Sequence, residues 1–303
     1  MRKLAFLALV LLLAALVSGC GSDDDDDDGG EAATTAAATT EGNTAEACDT
    51  LELVEEGQLT IGTDNPAYPP WFEGGTPSGS KWELNDPSTG DGFESAVAYA
   101  VAEKLGFGED SVEWVVVPFN QSFRPGPKNF DFDINQISYT PKRAQAVDFS
   151  ESYYEVNQAV VTVEGSSIAD ATTIDELKDA KLGAQIGTTS YQYIVDNIQP
   201  SRETSVYDTN NDAISALNAK QIDGIVVDLP TAFFVVAAEL DSGVIVGQFP
   251  AVGEQERFGM VLQKDSPLTQ CINQALATLR EDGTLEEIQQ EWLSDKVDAP
   301  VLE

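Results

Sequence analysis

The chain has 303 residues, with 16 Lys and Arg against 52 Asp and Glu, a net charge of −36. That length supports one large or two medium domains with real cores, and that charge makes nucleic acid and anionic lipid poor partners, because phosphate binding needs a basic face. The absence of His removes the commonest general base and metal ligand, and with it any Ser-His-Asp or Cys-His set.

The elements begin with an export signal. Arg2 and Lys3 precede an uninterrupted apolar run over 4–17, and Val17-Ser18-Gly19-Cys20 follows at once. The run is too short to span a bilayer and suits the apolar core of a signal peptide. The tetrapeptide looks like a bacterial lipobox, so Cys20 is expected to be lipidated and to anchor the mature protein without spanning. Residues 21–47, with six consecutive Asp over 23–28 and much Ala, Thr and Gly, read as a self-repelling, disordered tether.

From residue 59 strand and helix patterns alternate. Strands are expected over 59–63, 112–117, 130–134, 156–163, 182–186, 222–227, 244–246 and 258–262. Helices are expected over 93–105, with Phe93, Ala96, Val97, Ala100, Val101 and Leu105 on one stripe, and over 189–198, 212–219, 231–240, 268–280 and 285–292. Thr173 with Glu176 forms a capping box opening a helix over 173–178. The alternation predicts α/β layers with mostly parallel sheets. Residues 73–91 form a long polar loop of the functional or flexible kind, and Asp131 and Asp133 read as a solvated strand face.

Special groups gather at element ends. Residues 62–72 place Tyr68, Trp71 and Phe72 in a Pro-stiffened loop behind Asp64. Residues 138–143 bring the hydroxyls of Ser138 and Thr140 to Arg143, whose fork suits a carboxylate. Gly187-Thr188-Thr189-Ser190 opens a helix, where free N–H groups bind anions. Asp228 ends a strand before Pro230, where it could meet a cation. Ligands of open α/β sheets bind beyond the carboxyl ends of strands, where all four lie. No phosphate-binding Gly loop, CxxC or EF-hand spacing occurs, so no cofactor or metal is expected.

Over roughly residues 50–295 the chain resembles the periplasmic-type substrate-binding proteins of polar amino acid ABC transporters, solute-binding family 3. The matching stretches are Gly62-Thr63-Asp64 through Trp71-Phe72, Gly92-Phe93-Glu94, Ser138-x-Thr140-Pro141-x-Arg143, Val147-Asp148-Phe149-Ser150 with Tyr153-Tyr154, Gly187-Thr188-Thr189, residues 223–228, and Asp282-Gly283-Thr284-Leu285 ending at Trp292. The resemblance implies a two-lobed, type II periplasmic-binding-protein fold with two strand crossovers as hinge. Lobe 1 would be 48–157 with 256–303, and lobe 2 would be 158–255. It implies that Arg143 clamps a ligand α-carboxylate, aided by Ser138 and the Thr188-Thr189 backbone, while Asp228 takes the α-ammonium. Asp64, Tyr68, Trp71 and Phe119 would line the side-chain pocket, with Gln136 and Gln185 nearby. Departures from the family pattern fall at 65–71, 73–91, 123–128 and Gln136, so they bear on side-chain specificity.

The resulting expectation is a monomeric, exported receptor, lipid-anchored to the outer face of the cytoplasmic membrane. It captures a free amino acid, polar or basic, by hinge closure and delivers it to a permease and ATPase. An enzyme on this fold, such as a dehydratase, a ligand-sensing lipoprotein and a structural lipoprotein are the alternatives. Exported pairs of Cys tend to be bridged. In this family's topology the closing helices return to the first lobe, so Cys48 and Cys271 are expected to form a disulfide.

Overall fold

The computed structural model describes Cys48, residues 51–293 and residues 298–303. The signal, Cys20 and the tether lie outside the described residues.

Two five-stranded sheets organise the molecule. The first has the order β2-β1-β3-β12-β4, with β1 (Leu59–Thr63), β2 (Val112–Val116), β3 (Phe132–Asp133), β4 (Val147–Phe149) and β12 (Val261–Gln263). The second has the order β10-β6-β9-β7-β8, with β6 (Gln158–Val163), β7 (Leu182–Gln185), β8 (Ser205–Tyr207), β9 (Gly224–Asp228) and β10 (Gly243–Gln248). Both sheets are mixed rather than mostly parallel. β12 runs antiparallel to β3 and β4, and β6 runs antiparallel to β9 and β10. The cause is topological: β6 and β12 each follow a crossover from the other sheet, so they enter against the direction set by the βαβ units. The crossovers themselves pair, as β5 (Tyr154–Glu155) with antiparallel β11 (Arg257–Phe258).

Helix α1 (Phe93–Lys104) packs the first sheet with α6 (Leu268–Glu281) and α7 (Thr284–Leu293). Its buried face is broader than the expected stripe and takes in Ala98, Ala102, Glu94 and Ser95. The start of α1 is capped by the preceding loop, since Phe93 N donates to Pro70 O and Glu94 N to Trp71 O, both at 2.9 Å. Gly92 permits this approach: its φ is +99°, and a Cβ there would lie 2.5 Å from Phe72 Cα.

The first lobe also carries the one-turn helix α2 (Phe119–Ser122), and the helices of the second lobe follow. Helix α3 (Thr189–Tyr193) widens over Ile194–Ile198, closing with Gln199 N on Ile194 O at 2.9 Å. Helix α4 (Asn210–Asn218) is regular, and α5 (Leu229–Phe234) widens over Val235–Glu239. The capping box at Thr173 forms, on a single 3-10 turn, Ile174–Leu177.

The first core is aromatic, with Trp71, Phe72, Phe93, Trp114 and Phe258 buried together. The second lobe is mainly aliphatic on both sheet faces, with Phe249 stacked on Tyr193 on one of them. Cys48 and Cys271 are joined by a disulfide with Cα atoms 5.6 Å apart, as expected.

Three expectations are corrected. Asp131 and Asp133 are buried, not solvated, because structure covers that face of the sheet as well. Asp131 accepts from Val54 N and Thr60 N, whereas both Asp133 carboxylate oxygens lack a partner and burial holds that carboxyl well above the ordinary range. The 73–91 loop is pinned: Asn85 Nδ2 donates to Ala67 O, Asp86 accepts from Ser80 and Ser88, and Trp82 is buried. Finally, the carboxyl end leaves lobe 1. Gln248 N donates to Pro300 O (2.7 Å) and Leu302 N to Gln248 O (2.9 Å), so the tail covers the open edge that β10 would otherwise present.

Candidate functional site

Of the expected ligand residues, Ser138, Thr140, Arg143, Thr188, Thr189 and Asp228 gather where the two lobes meet. Arg143 is central. A 3-10 turn, Arg143–Gln145, starts at it, with Thr140 Oγ1 accepting from Arg143 N at 3.1 Å. Its guanidinium bridges the lobes: Nη1 donates to Ser138 O (2.6 Å) in the first, and Nη2 to Gly187 O (2.8 Å) in the second. Phe123 and Phe119 flank it, with ring centroids 4.4 and 5.6 Å from Cζ. Gly187, at φ +80°, lies so close to Asn120 of the first lobe that a side chain would collide. Burial lowers the Arg143 guanidinium to about 10, opposed by the carboxylates of Glu256 and Asp228, so it stays charged at neutral pH.

Thr188 caps α3, accepting from Tyr191 N at 3.1 Å, and its own hydroxyl donates to Gln185 O at 2.7 Å. Thr189 Oγ1 lies 3.3 Å from Ser138 Oγ across the cleft. A cavity of about 610 Å³ opens beside Arg143, Thr140, Thr188 and Thr189. A second, of about 300 Å³, borders Gln158, Thr189, Gln255 and Glu256 at the hinge. Both are lined in part by polar groups where the lobes meet, and they share Thr189 and Gln192.

The acid end lies at the close of β9. Asp228 Oδ1 accepts from Gln158 Nε2 at 2.6 Å. The Asp228 carboxyl is held well above the usual carboxylate range, by burial first and then by the Glu256 carboxylate, with the Gln158 bond opposing.

The remaining expected residues are placed differently. Asp64 is spent on its own lobe, accepting from Asn65 N (2.8 Å) and Phe119 N (3.3 Å), and burial raises its carboxyl. Trp71 is 0% exposed and packs edge-on against Phe93, Tyr154 and Phe258, so it is core rather than an open pocket wall. Its indole N–H nevertheless reaches the other lobe, donating to Thr231 Oγ1 at 2.9 Å. The Tyr68 hydroxyl is buried without a hydrogen-bond partner, and Gln185 is buried on β7.

Gln136, at φ +49°, turns its side chain onto Glu94. Glu94 is fully buried and accepts from Gln136 N at 2.7 Å, from Gln136 Nε2 and from the Tyr153 hydroxyl. Burial pushes its carboxyl up to about 7, against these three bonds. Glu94, Gln158 and Glu256 are site residues that the sequence reading did not select. Glu94 alone carried a signal, a carboxylate in the first turn of a helix directly after Gly92.

Among the described residues no group of three or more His, Cys, Asp or Glu could hold a metal ion, and no helix is long and apolar enough to cross a membrane. The arrangement sets a buried guanidinium and a buried carboxyl near one another where the two lobes meet, with hydroxyls and amides around them.

Known proteins are similar to this chain in sequence and fold. The L-cystine-binding protein TcyJ of Escherichia coli K12 is 28% identical over 251 residues, which is 81% of this chain and 86% of TcyJ. The arginine-binding extracellular protein ArtP of Bacillus subtilis is 24% identical, covering 82% of this chain and 95% of its own. The solved structure of an ancestral arginine-binding protein bound to glutamine, 27% identical, superposes at a TM-score of 0.64 over 78% of this chain and 98% of that one. The family model of the bacterial extracellular solute-binding proteins, family 3, matches residues 59–295, and with the two lobes and their polar cleft it identifies the chain as a member of that family.

Proposed function

We propose that the protein is the amino acid receptor of an ABC importer, and that it returns its ligand unchanged. The observation that carries this reading is the charge layout of the cleft, with Arg143 at one end and Asp228 at the other. An α-amino acid carries the complementary pair of charges. Arg143 takes the carboxylate, with Thr140, Thr188, Thr189 and Ser138 around it, and Asp228 takes the ammonium. Hinge closure between the paired crossovers makes both contacts together. The named ligands of the relatives, cystine, arginine and glutamine, support a polar or basic amino acid. Capture is followed by delivery to a membrane permease driven by an ATPase. The lipobox reading of Cys20 places the monomeric receptor on the outer face of the cytoplasmic membrane.

A thermal-shift screen over the twenty amino acids, opines and polyamines tests this, because a ligand stabilises the folded state by mass action. At least one α-amino acid should raise the melting temperature and be recovered chemically intact. No shift with any of them, or conversion of the ligand, rejects the receptor reading.

A further inference from the structure

A second carboxylate reaches the cleft from the hinge itself. Glu256 directly precedes β11, and its main-chain carbonyl accepts from Val156 N on the other crossover at 3.0 Å. Its side chain spans the lobes. Oε1 accepts from Ser138 Oγ at 2.6 Å and Oε2 from Gln158 Nε2 at 3.1 Å. That same nitrogen donates to Asp228 Oδ1 at 2.6 Å, so two carboxylates hang on one amide nitrogen. Gln158 is held in place from behind, since its Oε1 accepts from Ser190 Oγ at 2.6 Å.

An amide can make both bonds, but it brings no charge to offset two anions this close. The groups that face Asp228 are Glu256 from the crossover, Glu94 from α1 and Arg143 from its turn, with the phenols of Tyr153 and Tyr154 beside β5. Arg143 is the single cation among them, and its Nη1 and Nη2 are already engaged on carbonyls. Burial, and after it the Glu256 carboxylate, hold the Asp228 carboxyl well above the usual carboxylate range.

We propose that Asp228 and Glu256, held on one amide nitrogen, together form the cation subsite of the cleft, and that a ligand ammonium enters it as the Asp228 carboxyl gives up a proton. The inference rests on the amino acid reading above. The balance is simple. The ammonium keeps its three protons, the carboxyl O–H breaks heterolytically, and the proton passes to the buffer. The pair becomes doubly anionic as the ammonium's positive charge arrives. Glu256 thereby couples the hinge to the ligand, because it leaves the crossover strand and contacts groups of both lobes.

Two measurements on the full chain test the exchange. Infrared spectroscopy in D₂O at neutral pH should show a protonated-carboxyl band that loses one carboxyl's intensity in Glu256→Gln. Asp228→Asn should lose the same intensity, which keeps the test decisive if one variant misfolds. Calorimetry with L-arginine and L-glutamine, in phosphate and in Tris, should give a binding enthalpy that depends on the buffer, with up to one proton released. Affinity should fall as pH is lowered, by at most about tenfold per pH unit, and Glu256→Gln should remove both effects. An unchanged infrared band, or binding with no proton release, overturns the exchange while leaving the receptor reading intact. Absence of binding by every amino acid overturns both.

Discussion

The two ends of the cleft hold their charges in opposite ways. Arg143 is 8% exposed but satisfied, with one carbonyl from each lobe on its fork and an aromatic face at 4.4 Å. Asp228 has one neutral amide and a second carboxylate for company. A buried cation whose fork already rests on two carbonyls has part of its desolvation cost offset and is preformed. A buried anion beside another anion is stabilised only by a proton or a cation. On the proposed reading, the guanidinium end takes the carboxylate and the acid end the ammonium that every α-amino acid carries.

The largest break in that comparison is Arg143→Ala. Losing the partner of a desolvated carboxylate costs about 2–5 kcal/mol, which is roughly 30- to 4000-fold in affinity. Calorimetry should show that loss with the circular dichroism unchanged, and normal affinity would make Arg143 a purely structural bridge. A paired Cys48→Ser and Cys271→Ser variant touches neither end. It should lower unfolding free energy by about 2–4 kcal/mol in denaturant titrations and leave ligand affinity as it was. A shift in affinity would mean that lobe 1 is not the rigid partner in closure.

Glu94 extends the acid end into the core. Its carboxyl is raised from 4.5 to about 7, so between those values the folded state keeps a proton that the unfolded chain has lost. Stability therefore falls as pH rises through this window, by about 3 kcal/mol at most. Glu94→Gln cannot ionise and should flatten the slope in urea titrations at acidic and alkaline pH. An identical slope would assign the proton to another group. Trp71→Phe is the mildest change, removing the indole bond to Thr231. One interlobe hydrogen bond is worth about 1 kcal/mol, so affinity should drop several-fold with little loss of core.

Arg143 and Asp228 were legible because they are scarce or well placed: a base in a strongly acidic chain, and an acid at the end of an apolar strand. Glu256 was not legible. It is one of 52 acidic residues, and its place depends on β11 pairing with β5, two strands of two residues each. Strands that short carry no period to read, and β4 and β8, of three residues each, escaped for the same reason. Trp71 shows a different limit. An aromatic in a Pro-rich loop looks the same whether it walls a pocket or fills a core, and only the packing of Phe93, Tyr154 and Phe258 around it decides. Asp131 and Asp133 alternate as a solvated face should, and the chain buries them by passing a second layer over that face.

The disulfide has a consequence for cleavage. Cys48 and Cys271 stand 223 residues apart, and both crossovers and the entire second sheet lie between them. The bridge makes that span a covalent ring. A protease that nicks one exposed loop inside the ring opens it without releasing a fragment, and the molecule keeps its mass on a gel until a reductant is added. Two cuts are needed to detach any piece of the second lobe. Even then the tail, with Leu302 1% exposed against that lobe, holds the detached piece by packing and by its hydrogen bonds to Gln248.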